Sequence, residues 1–383
     1  MQSSAPISSP LVLFVTSSTA SFFNHRIGVA REALRRGYRV ALAAPDMEGF
    51  TAQLTVEQVT PVFLSGGRRG IDPLGDMTAA FNLARHVGTA KPDVVHATGL
   101  KGMFVTALAR LFGRLPRTVT TVTGLGATYI SDGFKNRLIR GGIEQVLKTL
   151  LWNRNTVTIF QNGDDMKLFV SRGVAPAAQS VLIPGSGVDI SEFALSPEPD
   201  TDVPVIVFPA RLIATKGLRE FISAAQLLRQ RGVKARFALV GSVDPVNPDA
   251  VSQEEIDQAV AQGSVEAWGF RSDMTAVLAG CNLVCLPSYR EGVPKALIEA
   301  AAVGRAIVAT DVPGCREIVV SGETGLLAPA REFERLADAL QSLIEDGALR
   351  RQYGLAGRRL VETEFALDHV VARTIALYDP PSR

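Results

Sequence analysis

Short runs of β-branched and apolar residues alternate along the chain with stretches whose apolar positions recur every three to four residues. A short apolar run suits a strand buried on both faces, and the longer spacing puts apolar side chains on one side of a helix. Strand then helix, repeated, predicts a parallel sheet covered by helices. In the first half the pattern predicts strands at residues 11–15, 38–43, 93–96 and 118–122. Ile27, Val29, Ala30, Ala33 and Leu34 share one face of a helix predicted over 24–36 and ended by Gly37, and another helix is predicted near 104–111. In the second half strands are expected at 205–208, 235–240, 265–269, 283–286 and 306–309, with helices at 217–231 and 295–303.

Each half could therefore close its own doubly wound sheet. Pro184-Gly185-Ser186-Gly187-Val188-Asp189 and the acidic, proline-bearing stretch 196–204 read as a connector. The expected organisation is α/β: a Rossmann-like domain over 1–189 facing a second over 190–362, and a helix over 363–383 packing back on the first.

A chain of 383 residues is long for one hydrophobic core, which agrees with two domains. With 46% hydrophobic and 20% charged residues it is not a disordered chain, and three cysteines are too few for a disulfide scaffold. Cys281, Cys285 and Cys315 lie in apolar stretches and are expected as buried thiols in a reducing cytosol. No run approaches the ~18–20 apolar residues of a membrane span, and no basic residue precedes the first apolar run, so a secretory leader is not expected. The net charge of +2 conceals an asymmetry: residues 1–190 hold 20 Lys/Arg against 12 Asp/Glu, and residues 191–383 hold 20 against 26. A basic first half suits an anionic partner.

The strongest chemistry lies in the second half. After strand 205–208 comes Pro209-Ala210-Arg211-Leu212-Ile213-Ala214-Thr215-Lys216-Gly217, a loop that opens a helix. A guanidinium, an ammonium and free backbone N–H groups at a helix start fit a diphosphate, although two such cations also occur on ordinary loops. After strand 283–286 comes Glu291-Gly292-Val293-Pro294, then Glu299 inside an apolar helix. At ~1.5 Å per helical residue the two carboxylates stand on the order of 10 Å apart. Paired glycosidase carboxylates lie at about 5–9.5 Å, so a hydrolase pair is disfavoured. The spacing suits two ends of one nucleotide-sugar, with phosphate near the Gly292-Val293 backbone. On so apolar a helix Glu299 should be paired rather than surface-exposed.

Ala210-Arg211-Leu212 with Lys216-Gly217, Leu239-Val240-Gly241, Gly269-Phe270-Arg271 with Asp273-Met274, Glu291 with Glu299, and Asp311-Val312-Pro313-Gly314 with Glu317 together resemble the retaining glycosyltransferases of family four, which have the GT-B fold. Asp244-Pro245-Val246-Asn247-Pro248 followed by Trp268-Gly269-Phe270 resembles the bacterial branch that extends polyprenyl-diphosphate-linked oligosaccharides for surface glycans or glycoproteins, as do Thr123-Gly124-Leu125-Gly126, Phe160-Gln161-Asn162 and Gly185-Ser186-Gly187-Val188-Asp189. The resemblance spans about residues 10–378.

It implies transfer of a sugar from a nucleotide diphosphate, such as a UDP-sugar, with retention and with neither metal nor cofactor. Arg211 and Lys216 would neutralise the leaving diphosphate. Glu291 would contact the donor sugar, Glu299 the ribose, and Gly269 and Phe270 the base, with Gly292, Val293 and Pro294 lining the donor. The acceptor would be a polyprenyl-diphosphate sugar met at the cytoplasmic face of the membrane; nucleic acid is not an expected partner.

The first half is less explicit. The loop Thr16-Ser17-Ser18-Thr19-Ala20-Ser21 lacks the Gly-Gly pair of many relatives, and Thr98 stands where a His-x-His would place its second histidine. His96 either lines the acceptor site or is a hydrogen-bonded histidine at a strand end. Arg26 and Lys101 would hold an acceptor phosphate or be plain surface cations. In 134–153, Leu138, Ile139, Ile143, Val146, Leu147, Leu150 and Leu151 fall at helical spacing beside Lys135, Arg137, Arg140 and Lys148. This reads as a helix lying on anionic lipid or as a core helix with a basic outer face.

Asp200-Thr201-Asp202 sits in the connector and reads as linker, and Cys281 and Cys285 lack the second pair a zinc site needs. No P-loop and no G-x-G-x-x-G follows the first strand. Two other readings stay open: a UDP-sugar epimerase of the same fold, and a non-catalytic protein that keeps a nucleotide-sugar site.

Overall fold

The computed structural model describes residues 9–65, 72–126, 129, 133–244, 247 and 249–379. Pro245, Val246 and Pro248 of the motif quoted above, and the first eight residues, lie outside this set. The chain forms two compact units, one made of residues 1–183 with 370–383 and the other of 184–369.

The first unit holds seven parallel strands: β1 (Leu11–Val15), β2 (Arg39–Ala44), β3 (Val59–Phe63), β4 (Val94–Thr98), β5 (Arg117–Val122), β6 (Thr156–Phe160) and β7 (Ser180–Leu182). Their order is β3-β2-β1-β4-β5-β6-β7. On one face Leu13, Val15 and Ala41 pack against Ala80 and Leu83 of helix Pro73–Ala90 and Val105 and Leu108 of helix Gly99–Ala109. Asp72 starts the first of these helices by accepting from Gly75 N at 3.0 Å, and Pro73 has no N–H that would need an acceptor in the first turn.

The second unit holds β8 (Val205–Pro209), β9 (Arg236–Val240), β10 (Glu266–Gly269), β11 (Leu283–Leu286), β12 (Ala306–Thr310) and β13 (Gly325–Ala328), parallel and ordered β10-β9-β8-β11-β12-β13. One apolar core joins Phe208, Leu239 and Leu286 to Phe221, Leu297 and Leu340 of the covering helices. The three cysteines are buried thiols, and burial pushes Cys281 up to about 12.

Two predicted helices are broken. The stretch 24–36 divides into Thr19–His25 and Ile27–Arg35 because Arg26 leaves helical geometry (φ −129°, ψ −8°). The tail divides at Ala366, whose backbone (φ −58°, ψ 133°) forms a bridge with Val188. Val188 N donates to Phe365 O and Leu367 N donates to Val188 O, both at 2.9 Å. Helix Leu367–Ile375 and the turn after it then lead into the first unit, where Arg117 Nε donates to Leu377 O at 3.0 Å.

Candidate functional site

An open α/β sheet binds ligands beyond the carboxyl ends of its strands, where the strand order reverses. In the second unit that point lies between β8 and β11. The loop leaving β8 carries Arg211 and Lys216, and the loop leaving β11 carries Glu291. Lys216 Nζ and Glu291 Oε1 meet there in an ion pair, with side chains 22% and 10% exposed. Tyr289 N donates to Thr215 O at 3.0 Å, and the Thr310 hydroxyl donates to Ser288 O, so the β11 loop is tied on both sides.

Two glycines let these loops touch. A Cβ on Gly217 (φ +76°) would lie 2.0 Å from Pro287 O, and one on Gly314 (φ +81°) would lie 2.1 Å from Gly292 O. Both positions exclude a side chain twice, by backbone conformation and by contact.

Arg211 is half-exposed and donates from Nη1 to Asp244 Oδ2 at 3.1 Å. Each cation of the loop is thus preset by its own carboxylate. Glu299 is buried on helix Lys295–Ala302 and paired with Lys295 Nζ at 3.3 Å. Burial raises its carboxyl above the usual range, and Lys295 partly offsets that. Gly292, Val293 and Pro294 are buried at the start of this helix. Gly269, at the end of β10, accepts from Gly241 N at 2.9 Å, and the Phe270 ring is exposed. The second unit therefore joins Lys216 to Glu291 directly, while Arg211 and Glu299 each bind a different partner.

Sequence reasoning missed Asp244 as the partner of Arg211. It also missed Tyr289, whose hydroxyl donates to Glu220 Oε1 at 2.7 Å beneath the Arg331 guanidinium, 4.6 Å from the ring centre. No spacing in the chain links residues so far apart.

In the first unit the order reverses between β1 and β4. There Lys101, on the first turn of helix Gly99–Ala109, forms an ion pair with Asp76 of helix Pro73–Ala90, which is 2% exposed. The pair lines a small cavity with Thr16 and Ser65. Asp76 was not read from the sequence, although the Asp72-Pro73 start signal of its helix was available.

The structure corrects the acceptor expectation for His96 and the surface-cation alternative for Arg26. His96 is fully buried, with Nδ1 2.8 Å from the Tyr378 hydroxyl and Nε2 2.9 Å from Thr121 Oγ1, so neither ring nitrogen is left for an acceptor. Burial, then the charge of Arg26, hold it well below the ordinary histidine range. Arg26 is also buried, 2% exposed, and is not a surface cation. Its Nη1 donates to His25 O at 3.1 Å, while Nε and Nη2 have no hydrogen-bond partner among the described residues. Burial lowers its guanidinium to about 10.

Residues 134–153 do two things. Helix Phe134–Val146 buries no residue and leaves Phe134 74% and Leu138 62% exposed, one turn apart. The wide turn Leu147–Leu151 that follows buries Leu147 and Leu151 in the core, and Trp152 Nε1 donates to Val174 O at 2.5 Å. No helix among the described residues is long and apolar enough to cross a membrane.

Comparison with known proteins adds the following. The family described as glycosyl transferases group 1 matches residues 203–346, and the glycosyl transferase 4-like domain matches 28–185. The chain is 28% identical over 349 residues to the N,N'-diacetylbacillosaminyl-diphospho-undecaprenol alpha-1,3-N-acetylgalactosaminyltransferase of Campylobacter jejuni, covering 88% of this chain and 90% of that one. It is 23% identical over 322 residues to the capsular polysaccharide biosynthesis glycosyltransferase CapM of Staphylococcus aureus, covering 82% and 83%. Among solved structures, sucrose-phosphate synthase from Thermosynechococcus elongatus superposes with a TM-score of 0.78 at 19% identity, covering 97% of this chain and 98% of that one. The Anabaena protein HepE in complex with UDP-glucose gives 0.77 at 19% identity, covering 96% and 98%. These two likenesses concern the fold.

Proposed function

The chain belongs to the group 1 glycosyltransferases, with the GT-B fold, and from that premise we propose that it moves a sugar from a UDP-sugar to a polyprenyl-diphosphate-linked sugar, with retention at the anomeric carbon. The observation that carries this reading is the Lys216–Glu291 pair at the reversal point of the second sheet. A donor entering there meets the ammonium with its diphosphate and the carboxylate with its sugar hydroxyls. The diphosphate replaces Glu291 as the partner of Lys216, which frees the carboxylate for the sugar.

As the glycosidic bond breaks, charge grows on the leaving phosphate, and Lys216 with Arg211 stabilises it in place of a metal ion. Retention follows from attack on the face the phosphate leaves, with the phosphate taking the acceptor's proton. Glu299 accepts from the ribose hydroxyls, and the Gly269-Phe270 backbone meets the base. The first unit holds the acceptor, with Lys101 as its polar contact.

The lipid-linked acceptor is supported by the name of the Campylobacter relative, whose own substrate carries undecaprenyl diphosphate. The exposed Phe134 and Leu138, flanked by Lys135 and Arg137, suit a helix resting on an anionic membrane at the cytoplasmic face. Transfer is tested with a panel of UDP-sugars and a short-chain prenyl-diphosphate sugar, reading product mass and anomeric configuration by NMR. Inversion, or conversion of the UDP-sugar without acceptor, would overturn the proposal.

A further inference from the structure

The loop leaving β8 has a neighbour on each side, and each neighbour supplies a carboxylate to one of its cations. The β11 loop gives Glu291 to Lys216, and the β9 loop gives Asp244 to Arg211. Arg211 has no other hydrogen-bond partner among the described residues, and at 51% exposed it is open to a ligand from solvent. The two carboxylates fare differently when a donor arrives. Glu291 exchanges the ammonium for sugar hydroxyls in the reading above. A diphosphate has only acceptor oxygens at neutral pH, so it offers Asp244 no hydrogen in place of the guanidinium it takes. Asp244 is left an anion beside an anion.

The backbone cannot carry that anion away. Leu212 N donates to Ser242 O at 3.0 Å, Ala214 N to Asp249 O at 2.8 Å, and Val251 N to Leu212 O at 3.4 Å. Ile213 forms an antiparallel bridge with Ala250, and Gly241 lies so close to Ala210 O that a Cβ has no room there. Asn247 N donates to Asp244 O at 2.9 Å, which sets the backbone of Asp244 itself. The β9 loop is thus fastened along the β8 loop, and a side chain of one methylene moves little. The same bonds occupy the N–H groups of Leu212 and Ala214, so a diphosphate depends there on the side-chain cations. What Arg211 holds, Asp244 faces.

We propose that Asp244 is a fixed counter-ion, displaced from Arg211 by the donor, whose retained charge weakens the hold on UDP and hastens its release. The inference rests on the donor placement above and deepens it, from which groups bind the diphosphate to how the product is let go.

The test measures uridine and UDP binding to the whole chain by calorimetry, with UDP dissociation followed by stopped flow. Asp244→Asn keeps the shape and removes the charge. It should bind UDP ~3–5-fold more tightly, the upper range for an exposed ion pair, and release it more slowly by a like factor. Uridine, which carries no charge, should bind wild type and variant alike. The gain should shrink at high salt, and Asp244→Glu should bind UDP as the wild type does. Weaker or unchanged UDP binding in Asp244→Asn, or an equal gain for uridine, would overturn the counter-ion. Arg211→Gln separates this from the donor placement, and should weaken UDP by ~10-fold or more through loss of a charge-assisted contact. If UDP binds Arg211→Gln as tightly as the wild type, the donor placement itself falls. If Arg211→Gln weakens UDP while Asp244→Asn fails to strengthen it, only the counter-ion falls.

Discussion

The two sheets reverse their strand order at equivalent places, yet they dress those places differently. In the second unit the charged groups ride on long loops, are partly open to solvent, and are held by backbone contacts between the loops. In the first unit the charged pair comes from two helices, its carboxylate is fully enclosed, and the loop after β1 contributes hydroxyls and no charge. Open, cation-bearing loops suit a ligand whose charge must be met as it develops. The helix-borne pair keeps its cation as exposed as Lys216, 21% against 22%, and differs in its carboxylate, 2% exposed against 10%.

The strongest way to break this comparison is Lys216→Ala. Loss of one donor that stabilises the leaving group should lower transfer by at least ~10²-fold, with the protein folded by circular dichroism. Retained turnover would place the leaving-group chemistry elsewhere. Gly314→Ala comes next: with Gly292 O at 2.1 Å from the added Cβ and φ at +81°, the second unit should lose roughly 3 kcal/mol in denaturant unfolding. An unchanged midpoint would mean that the loops are not locked together.

A smaller effect sharpens the first unit. His96 is held neutral in the fold, well below its ordinary value, so the unfolded chain binds more protons between that folded value and ~6.5. Its stabilisation is complete above that upper limit and falls away as the pH drops toward the folded value. The wild type should therefore lose stability on going from pH 7 to pH 5, and His96→Gln should show a shallower loss in urea titrations at the two pH values. Smallest is the membrane footing. Exchanging Lys135 and Arg137 for Gln should weaken sedimentation with phosphatidylserine vesicles by ~1 kcal/mol per residue and remove part of its salt dependence. Unaltered sedimentation would rule this helix out as the contact.

Much of the fold was legible because buried parallel strands write themselves as apolar runs. Leu11–Val15 and Leu283–Leu286 have the predicted bounds. β3, with Pro61 on an edge strand, and β6, in which threonines alternate with apolar residues, lack such a run and were not foreseen. The helix over 24–36 was read as continuous because its apolar spacing hides the inward turn of Arg26. Lys216 and Glu291 stand in two compact loop motifs that the structure joins, whereas Asp76 and Lys101 meet only once two helices pack side by side. A histidine in a sequence does not announce whether both nitrogens will be taken, and for His96 the partner Tyr378 lies at the far end of the chain.

That distant partner bears on how the protein is made. The six-stranded unit is one continuous stretch, but the seven-stranded unit includes residues 370–383. While the ribosome works from residue 183 to residue 378, roughly 10–40 s at ~5–20 residues per second, the nascent first unit must wait with His96 lacking the tyrosine that bonds its Nδ1. The portion translated first is therefore completed last, and a ribosome stalled anywhere in that interval leaves behind a sheet with an unsealed polar interior.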